Sequence, residues 1–260
     1  MAARPVQPAA LAIAGSDSCG GAGLQADLRT LAKLGVHGAS VVTCVTAQNP
    51  GAVSAIHPTP AKVVAAQLDS VFGSLPIRAV KTGMLYSRPI IDVVAERLVK
   101  RSRLPLVVDP VMISSSGTPL LKPSAAAALA RRLLPLARLV TPNLDEAATL
   151  AKQPVREPEA MREAARAIHE RFGCAVLVKG GHLKTTEAID LFYDGREEFL
   201  LSSPRAKRVS PPGTGCTYSA AITAFLAKGE PLPKAVERAK RHMAEAFSAV
   251  YRAGKHHFLG

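Results

Sequence analysis

Short apolar runs alternate with longer stretches in which apolar residues recur three or four positions apart, and this alternation continues along almost the whole chain. Residues 11–14 (Leu-Ala-Ile-Ala) read as a first strand, stopped by Gly15. Leu24, Leu28, Leu31 and Leu34 then recur at helical spacing, with Gly35 as the stop. Residues 39–47, rich in Val and Thr, predict a second strand that empties into a Gln48-Asn49-Pro50-Gly51 loop. Thr59-Pro60 predicts a capped helix start, with Val64, Leu68 and Val71 on the apolar face and Gly73 at the end. Strands over 77–80, 106–108, 139–141 and 175–178 then alternate with helices over 91–99, 124–134 and 157–172. Asn143, followed by Asp145 and Glu146, has the composition of a helix cap and first turn. Residues 189–193 and 199–201 around Asp194-Gly195 predict a hairpin, and helices over 219–226 and 235–251 close the chain. The pattern predicts an α/β fold of one domain over residues 1–260, a central, mostly parallel sheet flanked by helices on both faces. Ligands of such sheets lie beyond the carboxyl ends of the strands, and the loops richest in Gly, Asp and Lys all follow strand ends.

Composition narrows the function classes. Hydrophobic residues make up 48% of the chain but aromatics only 4%, with no Trp, so small and branched aliphatics must fill the core and no aromatic stacking surface is expected. With 33 Lys and Arg against 20 Asp and Glu, the net charge of +13 favours anionic ligands such as nucleotides and phosphorylated metabolites. The basic residues are scattered over predicted helices without interleaved aromatics, so no nucleic-acid partner is expected. Cys19, Cys44, Cys174 and Cys216 lie far apart, which argues against a disulfide framework and structural zinc and for a reducing cytoplasm. No run approaches a membrane span, and no membrane partner is expected.

The candidate chemistry centres on Pro212-Gly213-Thr214-Gly215-Cys216-Thr217, between a polar, proline-broken run over 205–211 and an apolar helical pattern. Glycines beside a small hydroxyl residue let N–H groups converge where a helix begins, a setting suited to an anion. The same dipole is expected to lower the pKa of the Cys216 thiol; a glycine-rich turn with Cys216 as a small apolar residue is the alternative. Gly15 and Gly20 have the glycine spacing of a Walker loop, but Gly21-Ala22 stand where Lys-Ser/Thr is required. Gly21-Ala22-Gly23-Leu24-Gln25-Ala26 fits a dinucleotide fingerprint, yet no acid follows the second strand to hold a ribose. Asp27, in the first turns of its helix, can reach an amine or hydroxyl of a small ligand or serve the helix dipole. Gln48 can donate and accept at once, as a heterocycle edge requires. Asp109, with Asn143 and Glu146, could hold Mg²⁺ through water, and Lys179 at a strand end could meet a phosphate. Met84 and Met112 suit a pocket wall or the core, while His256 and His257 have no evident partner.

In combination these residues resemble the ribokinase-like superfamily, and within it the hydroxymethylpyrimidine/phosphomethylpyrimidine kinases. The resemblance rests on seven ordered motifs: Gly20-Gly21-Ala22-Gly23-Leu24-Gln25-Ala26-Asp27, Ala47-Gln48-Asn49, Lys81-Thr82-Gly83-Met84-Leu85, Val108-Asp109-Pro110-Val111-Met112, Thr141-Pro142-Asn143-Leu144-Asp145-Glu146, Val178-Lys179-Gly180-Gly181-His182 and Gly213-Thr214-Gly215-Cys216-Thr217. It implies ATP as phosphoryl donor, Mg²⁺, a homodimer, and a pocket for 4-amino-5-hydroxymethyl-2-methylpyrimidine and its monophosphate bordered by Gly15, Asp27, Gln48, Met84 and Val111. It further implies that Asn143 and Glu146 help place Mg²⁺ and phosphate and that Lys179 and Thr214 lie near ATP. Cys216 would be the base, with the amides of Gly213, Thr214 and Gly215 stabilising the transferring group. One departure stands out: many relatives have His before Gly-Thr-Gly-Cys, and this chain has Pro212, which lacks an imidazole and a backbone N–H. A pyridoxal or pyridoxine kinase, and a catalytically weak pyrimidine-binding protein, are the alternatives.

Overall fold

Apolar side chains point to both sides of the central strands, as they must in a parallel sheet covered twice. The computed structural model describes residues 6–114, 117–181, 183, 185–204 and 211–260; Ser115, Ser116, His182 and the run 205–210 of the sequence reading lie outside the described residues. Among the described residues, nine strands form one sheet: β1 (Ala9–Asp17), β2 (His37–Asn49), β3 (Ala52–Pro58), β4 (Ile77–Thr82), β5 (Leu106–Val108), β6 (Leu139–Val140), β7 (Ala175–Lys179), β8 (Glu187–Tyr193) and β9 (Glu198–Pro204). Their order is β3-β2-β1-β4-β5-β6-β7-β8-β9. The stretch from β2 to β7 is parallel; β3 at one edge, and β8 and β9 at the other, are antiparallel.

The helices are α1 (Gly23–Lys33), α2 (Ala61–Ser74), α3 (Arg88–Val99), α4 (Pro123–Ala128), α5 (Leu144–Ala151), α6 (Pro158–Phe172), α7 (Thr214–Ala227) and α8 (Leu232–Ser248). Leu11, Ile13, Val80, Val108, Val140 and Val176 face α2 to α6, whereas Ala10, Ala79, Val107, Leu139 and Leu177 face α1, α7 and α8. Neighbouring residues on one strand therefore serve opposite cores, the period-two alternation of a pleated strand. Every residue of α7 from Thr217 to Ala227 is buried. A helix apolar all round has no solvent face, and α7 packs between the sheet, α1 and α8.

The doubly wound sheet agrees with the sequence reading, with local corrections. β1 runs through Gly15 to Asp17, with a register shift between Ala14 and Ser16, so Gly15 marks a bulge rather than a stop. β2 reaches Asn49, placing Gln48 on a strand end instead of in a loop, and the unpredicted β3 pairs with it. The weak alternation of β3 is that of an edge strand, mostly exposed. The residue before α2 is Pro60, with no side-chain cap, so Thr59 does not cap it. The helix expected over 124–134 breaks into a π turn at Leu129–Leu133 and a tight turn at Leu134–Leu136, where Pro135 lacks the N–H needed to continue. The hairpin turn spans four residues, with Asp194 accepting the N–H groups of Arg196 and Glu197. The last helix ends at Ser248, and a small hairpin follows, β10 (Tyr251–Ala253) and β11 (His256–Phe258). Tyr251 stacks on Phe258, and Arg252 pairs with His257 across the hairpin.

Candidate active site

The carboxyl ends of β1, β2, β4, β5 and β7 converge on one edge of the sheet, and every strand end carries polar chemistry. Asp17 closes β1; its carboxylate accepts the N–H groups of Cys19 (2.9 Å), Gly21 (3.0 Å) and Ala22 (2.8 Å) and so folds the glycine loop that leads into α1. Cys44 Sγ and Met84 Sδ lie 2.8 and 3.3 Å from where a Cβ on Gly15 would stand. Met84 packs in turn with Cys44, Leu120, Tyr86 and Val111. Gly15, Met84 and Val111 are thus brought together, with Cys44 as a wall residue the sequence reading did not name. Gln48 is oriented by a hydrogen bond from the Thr46 hydroxyl to its Oε1 (3.1 Å), and its backbone is tied to the Ser18 hydroxyl.

Asp27 is fully buried and accepts a 2.5 Å hydrogen bond from Lys81 Nζ, itself 1% exposed. Burial pushes the Asp27 carboxyl up to about 6 against the pull of Lys81. Burial also works against the Lys81 ammonium, but Asp27, Cys216 and Asp109 outweigh it and hold the amine above its usual range. The second oxygen of Asp27 has no hydrogen-bond partner among the described residues. The sequence reading placed Lys81 in a family motif but gave it no role in the site; its signal was a cation at the end of an otherwise apolar strand run.

Asp109 follows β5 and is 2% exposed. Its carboxylate accepts from Lys179 Nζ (2.8 Å), Thr141 Oγ1 (3.3 Å) and Ser219 Oγ (3.3 Å). Burial alone would raise its pKa, but Lys179 and Lys81 prevail and hold it below the usual carboxylate range. Asn143 and Glu146 form a reciprocal capping box at the start of α5, as the sequence composition predicts. Glu146 accepts the N–H groups of Asn143 (2.8 Å) and Met112 (3.3 Å). Burial pushes its carboxyl up to about 7, with Lys179 opposing and Asp109 adding to the rise. Among the described residues no three His, Cys, Asp or Glu side chains cluster around a metal-sized point. Magnesium needs only one or two carboxylates when phosphate and water complete its shell, and the hard oxygens of Asp109 and Glu146 fit that requirement.

Facing them is the start of α7. Gly213 adopts φ 77°, and a Cβ there would collide with the carbonyl of Gly21, so the two glycine loops touch. The first helical hydrogen bond runs from Thr217 N–H to Gly213 C=O (2.8 Å), leaving the N–H groups of Thr214, Gly215 and Cys216 ahead of it. The Thr214 hydroxyl donates to Pro211 C=O (3.0 Å). On the open side of Gly215, Lys179 Nζ and Asp109 Oδ2 stand 3.1 and 3.6 Å from a notional Cβ. Pro212 is buried and packs on Gly21, which also meets the ring of Phe258. One expectation is overturned: the Cys216 thiol is pushed up to about 11, not down. Burial is the largest cause, and the Asp27 and Asp109 carboxylates add to it, against Lys81 and the Gly23 N–H. Desolvation disfavours the thiolate here, and the two carboxylates add to it.

A cavity of about 140 Å³ lined by Leu98, Arg101, Leu104, Leu106 and Leu136 lies at the opposite, amino end of β5 and shares no residue with this cluster. A sequence profile described as phosphomethylpyrimidine kinase matches residues 17–259. The chain belongs to the phosphomethylpyrimidine kinase family. It is 52% identical over 244 residues to the hydroxymethylpyrimidine/phosphomethylpyrimidine kinase of Rhizobium meliloti, covering 94% of this chain and 91% of that one. It is 46% identical over 247 residues to the thiamine biosynthesis bifunctional protein ThiED of Geobacter sulfurreducens, covering 95% of this chain but spanning only 50% of that relative. Among solved structures, the ADP complex of Bacillus subtilis pyridoxal kinase superposes with a TM-score of 0.91 at 35% identity, over 98% of this chain and 97% of that one. The sheet and its helices are those of the ribokinase-like fold shared by such kinases.

Proposed function

We propose that this chain transfers the γ-phosphoryl group of ATP to the hydroxymethyl oxygen of 4-amino-5-hydroxymethyl-2-methylpyrimidine, and a second one to the resulting monophosphate. The observation that carries the reading is the Lys179 ammonium and the Asp109 carboxylate standing beside Gly215 in the first turn of α7, where the leading N–H groups precede the first helical hydrogen bond, next to Cys216. An anion seated there meets positive charge from two directions, and phosphoryl transfer depends on such positioning and charge stabilisation. Gly15, Met84 and Val111 supply a wall for a flat ring, Gln48 donates and accepts at its edge, and the unpartnered oxygen of Asp27 is placed to take an N–H or O–H. Thr214, Asn143 and Lys179 serve the nucleotide phosphates. Asp109 and Glu146 would hold Mg²⁺ through water, where it would neutralise charge on the phosphate oxygens.

In this reading Cys216 takes the acceptor's proton as thiolate. With its pKa near 11 that form is scarce at neutral pH, so turnover depends on a minor ionisation state. The mutation Cys216→Ala tests the role: turnover falls by about 10²-fold or more while pyrimidine and nucleotide binding, read by calorimetry, stay within about twofold. Turnover like that of the unmodified chain would remove Cys216 from the chemistry. A pyridoxal kinase is the second reading, favoured by the likeness to the Bacillus subtilis enzyme. The Gln48 amide at the pocket edge speaks for an aminopyrimidine. We take residues 1–260 as one catalytic domain acting as a homodimer in a reducing cytoplasm; the four cysteines are all free thiols, and no helix of the described residues is long and apolar enough to cross a membrane.

A further inference from the structure

Lys240 and Asp190 form a buried ion pair, and Asp190 is the cross-strand neighbour of Lys179 on β7. Lys240, on α8, is 7% exposed; its Nζ donates to Asp190 Oδ2 (2.8 Å) and to the backbone carbonyl of Ala188 (3.0 Å). Asp190, on β8, is 4% exposed. Its other oxygen, Oδ1, accepts the N–H of Gly180 (3.0 Å), the residue after Lys179. On the opposite side, the N–H of Lys179 donates to the carbonyl of Pro142 (2.8 Å). The two consecutive backbone amides at the end of β7 are therefore held from different elements, one from the turn after β6 and one from the Asp190–Lys240 pair.

Buried ion pairs return little net stability, because desolvating two charges offsets most of their attraction, so core filling is a poor reason for one here. What is particular to this pair is the oxygen spent on Gly180. We infer that Asp190, its buried charge balanced by Lys240, is a positioning residue that fixes the Lys179–Gly180 backbone and so aims the Lys179 ammonium between Asp109 and the start of α7. Lys240 neutralises the Asp190 carboxylate, Asp190 Oδ1 anchors Gly180, and the anchor defines the point from which the Lys179 side chain departs. Displacing a phosphate-binding cation by a fraction of an ångström weakens nucleotide capture and leaves the pyrimidine pocket, formed by Gly15, Asp27, Gln48, Met84 and Val111, untouched.

This inference rests on the kinase reading, and two double variants separate the two. Both Asp190→Asn/Lys240→Met and Asp190→Ala/Lys240→Met remove the buried charges, but only the first keeps an acceptor for Gly180 N–H. Hydrogen exchange at the Gly180 amide reads the anchor without reference to catalysis, and steady-state kinetics with ATP and the hydroxymethylpyrimidine read its consequence. In Asp190→Ala/Lys240→Met, Gly180 exchange accelerates and the KM for ATP rises about tenfold while the KM for pyrimidine stays within about twofold. Asp190→Asn/Lys240→Met keeps both readouts within about twofold of the unmodified chain. Equal behaviour of the two variants would reduce the pair to core filling. Faster Gly180 exchange with an unchanged KM for ATP would show an anchor that does not aim Lys179. If the unmodified chain phosphorylates nothing, the proposed function fails, and the exchange measurement still decides whether the anchor exists.

Discussion

At the scale of single residues, the site is governed by how burial and neighbouring charge divide protons. Cys216 illustrates the balance: it occupies the third position of a helix, where the dipole favours a thiolate, yet burial and two carboxylates push the thiol up to about 11. Below that pKa the thiolate fraction grows about tenfold per pH unit, so alkylation of Cys216 by iodoacetamide and turnover should climb together between pH 7 and 9. Rapid alkylation at pH 7, or a flat pH profile of turnover, would contradict this. Glu146 shifts the other balance. Its carboxyl, raised from 4.5 to about 7, holds a proton more tightly folded than unfolded. That stabilisation is complete below pH 4.5 and disappears as pH rises through 7, because the folded state must then give up a proton it prefers to keep. In metal-free buffer, Glu146→Gln should therefore gain stability relative to the unmodified chain between pH 5 and 8, by up to about 3 kcal/mol in denaturant unfolding. A difference that does not vary with pH would contradict the assignment. These charges were only partly legible in the sequence. Asp27, Asp109, Glu146 and Lys179 follow strand ends or open helices and can be picked out as candidates. Lys81 pairs with a residue 54 positions away, and nothing local reveals that partner.

At the scale of elements, the site depends on two glycine loops meeting edge to edge. Gly213 sits at φ 77° with its open side against the Gly21 carbonyl, so a methyl group there must push the loops apart. Gly213→Ala should cost about 1–3 kcal/mol in unfolding and lose most turnover, checked by urea denaturation and the ATP assay; unchanged stability would mean that the loops are not in contact. The elements themselves were largely readable, since period-two and period-3.6 patterns respond directly to a sheet buried on both faces. The misses share a physical cause. β3 is a mostly exposed edge strand, and the final hairpin has three residues a side with its first strand exposed; each strand is paired with only one neighbour, so little of their pattern is imposed by burial. The Asn143–Glu146 capping box was legible because both partners lie within one helical turn. The Asp190–Lys240 pair, 50 positions apart, was not.

At the scale of the whole molecule, parallel strands gather their carboxyl ends on one edge, which is why residues from 15 to 216 share a site. The order of the seven motifs along the chain let the sequence point to the family, and the fold supplies the reason for that order: each motif is a strand end, a loop after a strand, or a helix start that meets one. Pro212 fits the same plan by packing on Gly21, which also meets Phe258 of the terminal hairpin, so Pro212 joins two loops. The most direct test of the account is ATP turnover with Mg²⁺ on one preparation, comparing hydroxymethylpyrimidine, its monophosphate and pyridoxal as acceptors. The account predicts turnover with both pyrimidines and at least about tenfold lower kcat/KM for pyridoxal. Preference for pyridoxal, or no turnover with any acceptor, would contradict it.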